Sequence, residues 1–166
     1  MPLTNLGIVH TAISIIAVGA ALAALFFDGR IRPEKNIGKL YIFLTVITCL
    51  TSLPIMKTGH LTAGHYVAVI VLVLLPAAIY IRSFKVLRNN ALYLQTIFMS
   101  TTLFLSLVPA IVETLSRIPL SKPLASGPDD AIIKMALLCL FIFFIAGSVY
   151  QIIRLRREMA YQEIIR

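Results

Sequence analysis

Residues 6–27 form an uncharged, mostly apolar run of 22 residues. At a rise of about 1.5 Å per residue such a run spans the roughly 30 Å of bilayer hydrocarbon as a helix. A helix with so little polar surface has no place in an ordinary water-soluble domain, so this one feature decides the class of fold. Four further apolar stretches follow, at about residues 38–57, 65–83, 91–113 and 131–153, each bounded by charge clusters or by Pro and Gly. The pattern predicts an all-α, integral membrane bundle of five transmembrane helices, a single domain over residues 1–166 with a tail at 154–166. Composition agrees: 59% of residues are hydrophobic and 13% charged, with a mean hydropathy of +0.93, where soluble domains carry about a quarter charged residues.

The first run is expected to stay in the mature chain, because no basic residue precedes it and Phe26-Phe27-Asp28 is a poor cleavage context. On a helical projection His10, Ser14, Ala17, Ala21, Ala24 and Asp28 share one stripe, which suits close approach of a second helix. In the second run Tyr41, Thr45, Thr48, Ser52 and Met56 share a face, and Pro54 is expected to kink its end. The fourth carries the most polar stripe, Gln95, Met99, Thr102, Ser106, Pro109 and Glu113, opposite a surface of Leu and Phe. The tail is expected to lie along the membrane as a short amphipathic helix.

The net charge of +8 comes from basic clusters beside the apolar runs, the pattern of membrane-helix flanks, and no nucleic-acid partner is implied. Eleven of the fifteen Lys and Arg residues fall in the first connector, the third connector and the tail; Lys57, Arg117, Lys122 and Lys134 make up the other side. That excess predicts a cell inner-membrane protein with its amino terminus outside and its carboxy terminus in the cytoplasm. Cys49 and Cys139 lie inside apolar runs without C-x-x-C spacing, so structural thiols are expected.

This topology brings His10, Lys57, His60, His65 and Glu113 to the outer face. Neutral imidazoles are ligands for transition metals, and two opposed histidines can hold a haem iron, so His10, His60 and His65 form the candidate metal set. The competing reading takes His60 and His65 as turn residues, with His65 helping to start its helix. Glu113 likewise has two readings: a surface carboxylate answering Arg117 four residues on, or the polar end of a cavity walled by His10, Ser14, Gln95, Thr102 and Ser106. A cavity of that kind suits a lipid head group, a quinone or another amphiphile.

His10, the Gly38-Lys39-Leu40-Tyr41 opening of the second run and the basic segment from Arg82 to Arg88 resemble an uncharacterised family of predicted bacterial multi-pass membrane proteins, a domain of unknown function. The resemblance covers about two thirds of the chain and implies a membrane fold without an established activity. Where such proteins often carry His-Arg pairs, this chain has Glu34-Lys35-Asn36 and the stretch from Leu94-Gln95 to Met99. The chain has no Trp, which sets aside tryptophan-rich sensory proteins, and it has no paired cysteines, H-E-x-x-H, G-x-S-x-G or phosphate-binding glycine loop. The sequence thus points to a non-enzymatic membrane component that binds a lipid-like ligand or serves as an accessory subunit. Its partners would be membrane lipids, other membrane subunits or further copies of itself. The alternative is a haem- or metal-binding redox protein using the outer histidines.

Overall fold

The computed structural model describes residues 5–54, 61–87, 90–119 and 121–164. Five helices account for most of them: α1 (Asn5–Asp28), α2 (Asn36–Ser52), α3 (Ala63–Tyr80), α4 (Ala91–Leu115) and α5 (Ala131–Ile164). No strand occurs among the described residues. Four of the five, all but α2, are long and apolar enough to cross a membrane. The protein is an all-α membrane protein. Its chain divides into two compact units, Met1–Leu103 and Phe104–Arg166.

In the first unit α1 and α2 form an antiparallel hairpin, tied at one end by an ion pair of Asp28 with Lys35 and at the other by His10 with Thr51. The small stripe of α1 is the reason they approach closely, with Ala17, Ala21 and Ala24 all buried. The connector is tightly built. Gly29 adopts a left-handed φ of 71° and its N–H returns to the Leu25 carbonyl at 3.0 Å, which ends α1 as glycine does at many helix C-termini. Ile31 is then buried to 2% exposure, and the Lys35 N–H bonds the Arg32 carbonyl at 3.1 Å.

The second helix ends at Ser52, earlier than the expected Lys57, and Pro54 stands in the turn that follows instead of kinking a continuing helix. Proline lacks the N–H that would serve the carbonyl one turn back, so a helix stops there readily. The third helix buries His65, Ala68, Val71, Leu75 and Ala78 at spacings of three or four, one face of an α-helix. Short 3-10 turns at Ile81–Ser83 and Lys85–Leu87 lead towards α4, whose first half buries Gln95, Thr96, Met99, Ser100 and Thr102.

In the second unit Phe104 of α4 stacks on Phe144 of α5 with ring centroids 4.8 Å apart, and Phe141 meets Phe104 edge-on at 6.0 Å. The intervening loop folds back on itself, with the Ala125 N–H on the Leu115 carbonyl at 3.0 Å and the Leu124 N–H on the Ile118 carbonyl at 3.2 Å. Asp130 caps α5 by accepting the Ile132 N–H at 3.1 Å. The fifth helix continues without a break through the expected tail to Ile164, 34 residues in all, a rod of about 51 Å. Most of its large apolar side chains, among them Met135, Leu138, Phe143 and Val149, are exposed.

Candidate functional site

The histidine of α1 is positioned by α2. His10 Nδ1 lies 3.1 Å from Thr51 Oγ1, and the Thr51 hydroxyl also lies 2.9 Å from the Ile47 carbonyl and 3.0 Å from the Thr48 carbonyl. A hydroxyl has a single proton, and the nearer carbonyls take it. Thr51 Oγ1 therefore accepts from His10 Nδ1–H, which leaves the lone pair of the neutral ring on Nε2. One turn along, Ser14 donates its hydroxyl proton to the His10 carbonyl at 2.6 Å.

His65 has the opposite tautomer. Its Nδ1 accepts the Thr62 N–H at 3.0 Å, while the Thr62 side chain accepts the His65 N–H, a reciprocal capping box with histidine in the place usually held by Glu or Gln. The proton must then sit on Nε2, which is buried and has no hydrogen-bond partner among the described residues. The reading of His65 as the residue that starts its helix describes this arrangement. His60 and Lys57 lie outside the described residues. Among the described residues no group of three His, Cys, Asp or Glu side chains comes together to hold a metal ion.

Two members of the polar stripe on α4 bind neighbouring helices. The Gln95 amide donates to the Ala78 carbonyl of α3 at 2.9 Å. Thr102 donates its proton to the Met99 carbonyl at 2.8 Å, so Tyr41, 2.9 Å away on α2, is the donor to Thr102. Tyr41, Thr45 and Thr102 are all buried. The Thr45 and Thr48 hydroxyls on the same side of α2 have no hydrogen-bond partner among the described residues.

Ser106 and Glu113 belong to the second unit, where Ser106 is half-buried and the Glu113 carboxylate meets Arg117 Nε at 2.7 Å across one helical turn. Both partners of that pair are substantially exposed, so it contributes little to stability. The one strongly held carboxylate in the loop is Asp130, which accepts the Ser126 N–H and hydroxyl, each at 3.0 Å, as well as the Ile132 N–H. Those bonds favour its ionised form and hold its pKa below the usual aspartate value.

Sequence reasoning missed Thr51 and Thr62 as the partners that set the two histidine tautomers. Thr62-x-x-His65 was visible as a capping-box spacing, whereas Thr51 lies off the Tyr41–Thr45–Thr48 face and emerges only when α1 is placed beside α2. No family model, no curated protein and no solved structure matches the chain.

Proposed function

We propose that this membrane protein is a non-enzymatic accessory subunit of a larger membrane assembly. One observation carries the reading: three polar side-chain contacts of the first unit join neighbouring helices, Tyr41 with Thr102, Gln95 with the Ala78 carbonyl and His10 with Thr51. Polar groups used in this way hold helices together in lipid. The long exposed apolar surface of α5 suits a neighbour within the bilayer. In this reading the amino terminus is outside and the carboxy terminus in the cytoplasm of the inner membrane, as the distribution of Lys and Arg supports.

Photo-crosslinkers at Phe143 and Met135, introduced in living cells, test this reading. A discrete protein adduct at these positions is expected, and its absence, with lipid as the sole product, would count against an assembly. Labelling of Asp129→Cys from the outside alone is expected for the proposed orientation; labelling only from the cytoplasm would invert it.

The rival is a haem or transition-metal redox protein, with the His10 imidazole, oriented by Thr51, as its candidate ligand. It is disfavoured at His65, because ligation through Nε2 moves the proton to Nδ1, where it opposes the Thr62 N–H. An absorption spectrum and metal analysis of purified protein distinguish the two. A Soret band, or stoichiometric metal lost in His10→Ala, would establish the rival; a colourless, metal-free preparation agrees with the accessory role.

A further inference from the structure

The connector between α1 and α2 holds its cations on a rigid frame. Gly29 turns the chain, Ile31 plugs into the interior and the Arg32 carbonyl packs against Gly38, where an added Cβ would lie only 1.9 Å from the carbonyl oxygen. On this fixed backbone Lys35 and Lys39 are exposed and Arg30 and Arg32 half-buried, and the segment's own carboxylates are Asp28 and Glu34. Lys35 already neutralises Asp28. In the same unit Arg82 and Lys85 follow α3. Beside the connector an open cleft of about 540 Å³ is lined by Phe27, Asp28, Lys35, Asn36 and Ile37. Phe27, 70% exposed, lines its apolar side, and the 84% exposed Phe26 ring meets Phe27 edge-on with centroids 5.3 Å apart.

We infer that this cleft binds an anionic phospholipid. The acyl chains follow Phe26 and Phe27, which end an apolar helix and lie at the hydrocarbon boundary. The phosphate lies towards the Asn36 amide and the exposed Lys35 ammonium, which has N–H donors beyond the one given to Asp28, within the net positive charge of the connector. A zwitterionic lipid brings its own cation to the same place and loses that attraction, and a free phosphate has nothing to offer the phenylalanines. The site lies at the opposite end of α1 from His10 and is independent of the accessory-subunit reading.

The test uses the full chain, stripped of lipid in neutral detergent and then exposed to mixed micelles of equimolar phosphatidylglycerol and phosphatidylcholine. Native mass spectrometry counts the lipids retained. Preferential retention of phosphatidylglycerol is expected. The double variant R30Q/K39Q should lower that retention about tenfold or more, since each basic residue near an anionic lipid contributes several-fold to affinity. I37W should lower it with every charge in place by filling the cleft. Both variants must elute and melt as the parent does; should I37W not fold, Asn36→Leu, which removes the cleft's amide, reads the same loss. Equal retention of the two lipids would overturn the proposal. So would loss in R30Q/K39Q with full retention in the cleft variant, or an equal loss in R82Q/K85Q, because either result describes a diffuse field and not a site.

Discussion

Gly38 lies so close to Arg32 that a Cβ at position 38 would sit 1.9 Å from the Arg32 carbonyl oxygen and 2.7 Å from its carbon. The contact is with backbone, which has no rotamer to yield, so Gly38→Ala must push the connector away from α2. The expected cost is about 3 kcal/mol, the upper range for overpacking. By contrast, a Cβ at Gly19 or Gly147 meets nothing within 4 Å, and alanine there should be neutral or slightly stabilising through its helix propensity. Unfolding followed by helical circular dichroism in detergent measures all three. A Gly38→Ala protein as stable as the parent would contradict the packing of the connector.

The hydroxyl chain from Tyr41 through Thr102 to the Met99 carbonyl makes a separate prediction. Tyr41→Phe and Thr102→Val each remove one member, and the interaction between them is isolated by a double-mutant cycle. Hydrogen bonds between membrane helices are worth about 0.6 kcal/mol on average and up to about 1.7, so a coupling energy in that range is expected. Additive losses would mean that the two residues do not share a bond.

Asp130 links the start of α5 to pH. Its pKa is depressed by the Ser126 and Ile132 bonds, so the carboxylate contributes stability above the unfolded aspartate pKa of about 3.9. That contribution is lost as pH falls through the lower, folded value. Amide protection at Ile132 and Lys134, taken relative to the intrinsic exchange rate at each pH, should therefore be high at neutral pH and fall only in acid below about pH 4. Asp130→Ala should lack that protection at both. Protection that is insensitive to Asp130→Ala would show that the cap does not hold the helix start.

Much of the helical framework was legible because lipid leaves few options. An uncharged run at 6–27 became Asn5–Asp28, and the expected 91–113 became Ala91–Leu115. The end of α5 was not. Residues 154–164 lose the apolar signal that marks a span, yet Arg, Leu, Glu, Met, Ala and Gln are strong helix formers, and Arg154 meets Glu158 at 3.1 Å across one turn. Hydropathy therefore reported where hydrocarbon ends, which is not where the helix ends. At the candidate site the shared faces were readable, as with Gln95 and Thr102, but the choice of partner was not. Whether Gln95 meets water, a ligand or the Ala78 carbonyl depends on which helix lies beside it, and a helical projection holds no information about neighbours.

The two histidines carry the most specific prediction, because their tautomers follow from proton accounting. Thr51 has one hydroxyl proton, taken by the Ile47 or Thr48 carbonyl, so His10 is protonated on Nδ1. The Thr62 backbone N–H points at His65 Nδ1, so His65 is protonated on Nε2. At a pH where both rings are neutral, ¹⁵N spectra of histidine-labelled protein should show a protonated, pyrrole-type Nδ1 and an unprotonated, pyridine-type Nε2 for His10, and the reverse for His65. Thr51→Val removes the acceptor of His10 and should release its tautomer towards the mixture found in solution while His65 keeps its own. Thr62→Ala removes the hydroxyl partner of the capping box but retains the backbone N–H, so it should weaken the start of α3 without reversing the His65 tautomer. Identical tautomers at the two positions, or a His10 spectrum unmoved by Thr51→Val, would refute the hydrogen-bond assignment at the α1–α2 end and with it the orientation of the His10 imidazole by Thr51.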